Sequence, residues 1–121
     1  MQVQIYHNPR CSKSRETLEL LHSLGIQPEI ILYLRDTPDI ETLNTLYDQL
    51  ELKDVRDMIR RKDALYNELI SDFPEYDKDT YLSLLNHYPQ LLERPIVVYG
   101  DRAKIGRPPE QVLTLFPALK P

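Results

Sequence analysis

The chain has 121 residues, 41% of them hydrophobic and 28% charged, which is the balance of one soluble globular domain spanning 1–121. No apolar run approaches the roughly 20 residues of a membrane span, and Met1-Gln2-Val3-Gln4 leads into no signal-type stretch. A net charge of −4 argues against nonspecific nucleic-acid binding, and the single cysteine excludes an internal disulfide or a Cys-rich zinc site. A cytoplasmic location is expected, where such a thiol stays reduced.

Val3-Gln4-Ile5-Tyr6 has strand character. Thr17 to Leu24 predicts a helix, with Leu18, Leu21 and Leu24 at helical spacing and Gly25 as its C-cap. Pro28 to Leu34 is almost continuously apolar, as expected of a second strand covered on both faces. A strand, a helix and a strand in about 30 residues form a βαβ unit, so these strands are parallel with a right-handed crossover.

Asp36-Thr37-Pro38-Asp39 is a loop with helix-start chemistry, and Ile40, Leu43, Leu46, Tyr47 and Leu50 follow at helical spacing. Asp54 to about Ile70 predicts one helix, or two with a break near Lys62-Asp63. Asp72 to Asp77 is a turn-rich acidic loop, and Thr80 to Tyr88 a further helix ended by Pro89. Arg94 to Tyr99 is a third strand, and Arg102 to Ile105 pairs back on it across Gly100-Asp101. Gly106 to Pro109 is a loop, and Glu110 to Phe116 a closing helix.

This order matches an α/β fold of the thioredoxin-like kind. It has a mixed four-stranded sheet and a helical insertion, about 38–92, between the second and third strands. In that fold a proline ahead of the third strand is cis and lies beside the active-site cysteine, and Pro95 is the candidate.

Cys11 falls where the first strand ends and the first helix begins. A helix N-terminus offers unpaired N–H groups and a partial positive charge, which favour thiolate over thiol and also cradle an oxyanion. Arg10, Lys13 and Arg15 surround the sulfur with cations, and Asn8-Pro9 imposes a turn. Nine of the fifteen basic residues are arginine, whose planar fork suits an oxyanion. A small anionic substrate is therefore compatible with the negative net charge, because a pocket needs positive charge only locally.

Tyr6-His7-Asn8-Pro9-Arg10-Cys11 resembles the nucleophile loop of the glutaredoxin-coupled arsenate reductases. Arg60 in Met58-Ile59-Arg60-Arg61-Lys62, Arg94 in Arg94-Pro95-Ile96-Val97-Val98 and Arg107 in Gly106-Arg107-Pro108 also fall in settings similar to that family's. The resemblance implies that Cys11 attacks arsenate and that Arg60, Arg94 and Arg107 hold the oxyanion. It implies further that glutathione, as co-substrate, and glutaredoxin, as partner, resolve the adduct and release arsenite. It implies no bound cofactor, metal, membrane or nucleic acid.

By the same resemblance His7 tunes the thiolate, or else fixes the loop. Ser14 donates a hydrogen bond to the thiolate or caps the backbone. Lys13 is a solvated flank, Arg15 a supporting cation or a solvated flank, and Arg10 a solvated flank or a group narrowing the pocket mouth. An internal cysteine cascade is excluded by the cysteine count, and the low-molecular-weight phosphatase loop by Thr17, which stands where that loop needs arginine. Two alternatives remain. One is a redox or stress regulator that binds RNA polymerase, although Ser14 stands where its disulfide-forming variants have a second cysteine. The other is a glutathione-dependent thiol protein with another substrate.

Overall fold

The computed structural model describes residues 2–70 and 77–119. Strand β1 (Val3–Tyr6) sends Val3 and Ile5 into one apolar cluster and Tyr6 into another, as the period of two requires. Strand β3 (Ile96–Tyr99) divides the same way, with Val97 on the first face and Ile96 and Val98 on the second. Strands filled on both faces belong at the centre of a sheet. The observed order is β2-β1-β3-β4, with β2 at Glu29–Ile31 and β4 at Arg102–Ile105. β2 runs parallel to β1, while β3 is antiparallel to both β1 and β4.

The first face is covered by α1 (Ser12–Ser23) and a terminal 3-10 helix (Pro109–Leu115), through Leu21, Val112 and Leu115. The second face carries the insertion: α2 (Ile40–Gln49), a 3-10 turn (Val55–Met58), α3 (Ala64–Ile70) and α4 (Lys78–His87). Leu43, Leu46, Met58, Leu82 and Leu85 fill the larger cluster beneath it. This is the thioredoxin-like arrangement expected from the order of elements, with the parallel β1–β2 pair and the β3–β4 hairpin in place. The Arg94–Pro95 bond is cis, and so is Arg107–Pro108. Among the described residues no helix is long and apolar enough to cross a membrane.

Helix ends follow local chemistry. Asp39 and Asp77 cap α2 and α4, accepting the N–H of Thr42 and of Thr80, each at 2.8 Å. Gly25 closes α1 at φ +80°, with its N–H on the His22 carbonyl and the Ile26 N–H on that of Leu21.

Several elements differ from expectation. The second strand is only three residues long and lies at the sheet edge, not between two covered faces; Ile30 and Leu34 are each 46% exposed. The chain leaves the sheet at Leu32, whose carbonyl takes the N–H groups of Arg35 and Asp36 in a turn. The 54–70 segment is in two helical pieces, with a break that includes Lys62-Asp63 but opens earlier than expected, at Ile59. Its first part is the 3-10 turn, after which Ile59 pairs antiparallel with Leu92, so the backbone is already extended there. Only then does Asp63 accept the Leu65 N–H and start α3. α1 begins at Ser12, and its buried face runs Ser14, Thr17, Leu21 rather than through leucines alone. The closing helix is 3-10 throughout. Of the acidic loop at Asp72–Asp77, all but Asp77 lies outside the described residues.

Candidate active site

The loop between β1 and α1 is fixed by its own polar groups. His7 N–H donates to the Ile31 carbonyl at 2.9 Å, which continues the β1–β2 pairing one residue past the strand. Asn8 Oδ1 accepts the Arg10 N–H at 3.0 Å, an Asx turn, and the Asn8 carbonyl accepts the Cys11 N–H at 3.0 Å. Cys11 then occupies the N-cap of α1 with extended backbone, and its carbonyl takes the Arg15 N–H. Two α1 side chains staple the loop from behind. Ser14 is 0% exposed; its Oγ accepts the Asn8 N–H at 3.0 Å and lies 2.6 Å from His7 Nδ1. Arg15 donates to the Pro9 carbonyl at 3.0 Å.

The three predicted arginines converge because backbone pairings lock the segments that carry them. Arg60 N–H donates to the Leu91 carbonyl at 2.7 Å and Glu93 N–H to that of Met58 at 2.9 Å, on either side of the Ile59–Leu92 bridge. That bridge sets Arg60 beside the segment leading into Arg94. The β3–β4 hairpin is prolonged by Gly106 N–H on the Pro95 carbonyl at 2.9 Å, which brings Arg107 level with Arg94. Arg107 Nη1 then lies 3.3 Å from the Arg94 carbonyl and 4.0 Å from Cys11 Sγ. Gly106 is required there by close approach. A Cβ on it would stand 2.6 Å from Thr17 Oγ1 and 2.9 Å from Pro95 Cγ.

Arg60, Arg94 and Arg107 line one cavity of about 500 Å³, together with Arg61 and Lys62. Asp57, Ile59, Asp63 and Glu93 complete its wall. Arg60 is partly engaged, pairing with Asp63 at 3.3 Å and donating to the Gln90 carbonyl at 3.2 Å. The buried Nε of Arg94 has no partner among the described residues.

The electrostatics favour a thiolate. Burial raises the Cys11 pKa, but the Ser14 N–H, the Arg94 charge and the Lys13 N–H outweigh it, so the thiol lies below its ordinary range. The pKa of His7 is lowered, first by burial and then by the nearby Arg15 charge, which keeps the imidazole neutral near pH 7.

The structure therefore brings Cys11, His7, Ser14, Arg94 and Arg107 together, with Arg60 on the wall of the cavity that Arg94 and Arg107 also line, and with Pro95 buried and paired to Gly106 through its carbonyl. The Ser14 hydroxyl is engaged with His7 and the Asn8 N–H, and it is the Ser14 backbone N–H that favours the thiolate. Arg15 holds the loop from outside. Arg10 is exposed and does not line the cavity, and Lys13 pairs with Glu16 at 3.4 Å on the surface. The turn expected at Asn8-Pro9 is in place, while sequence reasoning missed Thr17 as the partner of Gly106 and the inward turn of Tyr33. Thr17 was hidden by its place in a helix, and Tyr33 by its place in an apolar run.

Known proteins resemble the chain over nearly its whole length. The model of the ArsC family matches residues 6–115, a span that includes the cysteine loop and all three arginines. An arsenate reductase of Haemophilus influenzae is 49% identical over 116 residues, covering 96% of this chain and 100% of that protein. One of Escherichia coli is 36% identical over 115 residues, 95% of this chain and 81% of that protein. A solved arsenate reductase from Vibrio cholerae matches with a TM-score of 0.92 at 50% identity, covering 96% of this chain and 98% of that one. With the cysteine loop, the arginines and the sheet that aligns them all inside the matched span, the chain belongs to the ArsC family.

Proposed function

We propose that the chain is a cytoplasmic arsenate reductase in which Cys11 is the nucleophile and Arg60, Arg94 and Arg107 bind the oxyanion. The observation that carries this reading is the convergence on one sulfur of a helix N-terminus and a guanidinium 4.0 Å away. Arsenate is a tetrahedral anion, and arginines supply charge-assisted hydrogen bonds to it without giving up a proton. In the first step the Cys11 thiolate forms an S–As bond, an As–O bond breaks, and the oxygen leaves as water, its two protons supplied by the arsenate and solvent. Arsenic is still As(V).

Glutathione supplies the electrons. Its sulfur joins Cys11 Sγ, the S–As bond breaks with its electron pair left on arsenic, and arsenite departs as As(III). Glutaredoxin then takes the glutathione from Cys11 by thiol–disulfide exchange. The single cysteine supports an external donor, because no second thiol exists in the chain to resolve the adduct. His7 and Ser14 hold the loop that presents the sulfur, and Arg15 supports it.

The test is arsenite production from arsenate with glutathione and glutaredoxin supplied, beside Cys11→Ser. Turnover that disappears in Cys11→Ser, and that stops when either thiol donor is omitted, supports the scheme. Equal turnover in Cys11→Ser removes Cys11 from it. Turnover that persists without glutaredoxin removes that partner.

A further inference from the structure

The turn Arg60-Arg61-Lys62-Asp63 sets four charged residues on the wall of the arginine cavity. It is closed by the Asp63 N–H on the Arg60 carbonyl at 3.1 Å, and the Arg60 N–H is held by the Leu91 carbonyl at 2.7 Å. The backbone of Arg60 is therefore fixed at both of its polar groups. The side chain is held too. Its Nη1 donates to the Gln90 carbonyl at 3.2 Å and lies 3.3 Å from Asp63 Oδ2. Both partners share one nitrogen, while Nε and Nη2 make no hydrogen bond among the described residues.

Asp63 is itself anchored. Its Oδ1 accepts the Leu65 N–H at 2.9 Å, so the carboxylate cannot turn away from Arg60 without giving up that bond. The side chains of Arg60 and Asp63 are 31% and 25% exposed, against 47% and 49% for the neighbouring pair of Arg61 and Asp57. As a contribution to the fold alone, a part-exposed pair of this kind is worth little. Its effect on the cavity is more specific. A guanidinium grips an anion at two points along one edge of its planar fork. With Nη1 occupied, the complete edge left to Arg60 is Nε–Nη2. An arginine ordered before its ligand arrives also loses less freedom on binding.

We propose that Asp63 is a positioning residue for the oxyanion: together with the Gln90 carbonyl it holds Nη1 of Arg60 and so presents the Nε–Nη2 edge of that guanidinium to the anion. This rests on the oxyanion reading of the site and gives Arg60 a defined mode of contact, side-on and through two nitrogens. The negative charge of Asp63 repels the anion, and the fixed fork outweighs that repulsion. A lysine at position 60 has no fork to orient, so there only the repulsion remains.

The experiment uses the one thiol in the chain as its reporter. Cys11 is alkylated with iodoacetamide at increasing arsenate, each rate being scaled to its value without arsenate, and the half-protecting arsenate concentration is read. Asp63→Asn keeps an oxygen for the Leu65 N–H and removes the carboxylate from Arg60. Alone, it is expected to raise that concentration by about threefold to tenfold, within the range of couplings between groups in contact. Added to Arg60→Lys, the same substitution is expected to leave the concentration unchanged or to lower it. Asp63→Ser also offers the Leu65 N–H an oxygen, is expected to repeat both results, and decides the matter should Asp63→Asn not fold. A rise of similar size in both backgrounds, no rise in either, or a fall in Asp63→Asn alone would overturn the proposal and leave the oxyanion site standing. Arg60→Lys with the wild-type concentration would overturn it together with the assignment of Arg60. Wild-type alkylation that arsenate does not slow would overturn it together with the oxyanion reading.

Discussion

Removing either arginine beside Cys11 raises the pKa of the thiol, and the two removals are unequal. Arg107 has Nη1 4.0 Å from Sγ but is exposed, while Arg94 is half-buried. At 4 Å a pair of unit charges interacts by about 1 kcal/mol in bulk water and about 4 kcal/mol at the effective dielectric near a protein surface. One pKa unit corresponds to about 1.4 kcal/mol, which brackets the effect between about 0.7 and 3 units. Solvent around Arg107 places it at the lower end, so Arg107→Ala is expected to raise the Cys11 pKa by about 0.7–1 unit. Arg94 acts through a drier path and lowers the thiol pKa by charge and by hydrogen bonding, so Arg94→Ala is expected to raise it further than Arg107→Ala does. The assay is the pH dependence of iodoacetamide alkylation, whose midpoint moves to higher pH as thiolate is lost. At 1 M salt the Arg107 effect shrinks more than that of Arg94, because exposed charges are screened first. A larger shift for Arg107→Ala than for Arg94→Ala, or no shift in either, would refute the reasoning.

Two further predictions concern the frame of the site. Gly106→Ala forces its new methyl against Thr17 and the Pro95 ring, and is expected to cost about 1–3 kcal/mol as overpacking. A urea-denaturation change below about 0.5 kcal/mol would show that the contact relaxes freely. His7 has a folded pKa below its unfolded value of about 6.5, so as pH falls the unfolded chain takes up the proton first. Its contribution to stability is present above about pH 6.5 and is lost as the pH drops through the lower folded pKa. Denaturation midpoints at successive pH values should fall more steeply for the wild type than for His7→Asn, and parallel curves would assign the acid sensitivity elsewhere.

What the sequence made legible follows the range of the interactions concerned. The Cys11 environment is local: a turn, a helix start and nearby cations lie within a few residues, so its activation could be read directly. The parallel β1–β2 pair and the β3–β4 hairpin were legible because a βαβ unit and a hairpin each have few topologies. The exposed edge position of β2 was not, since an apolar run such as Pro28 to Leu34 looks the same at an edge as at a centre. There Tyr33 turns inward while Ile30 and Leu34 stay half exposed, a division set by tertiary packing. The buried face of α1 was misread for a related reason. Ser14 and Thr17 are polar by composition but bury their hydroxyls on local partners, His7 and Asn8 for Ser14 and the Lys13 carbonyl for Thr17. Periodicity of apolar residues does not detect such positions.

All four strands end at the site. β1 runs out into the loop that carries Cys11, and β2, parallel to it, ends at Ile31, whose carbonyl takes the His7 N–H of that loop. β3 is antiparallel, so its beginning, at Arg94 and Pro95, reaches the same edge. β4 reverses again, and its end delivers Gly106 and Arg107. The carboxyl edge of parallel strands is where α/β sheets commonly bind ligands, and here the antiparallel pair adds its cations to that edge. Arg60 comes from the insertion, but the Ile59–Leu92 bridge ties it to the segment that enters β3. The β3–β4 register is therefore the sensitive element. A slip of one residue would reverse the faces of the slipped strand, expelling Ala103 from the larger core cluster and carrying Arg107 away from Arg94. The apolar pattern that fills the core thus also sets the spacing of the guanidinium groups around the sulfur.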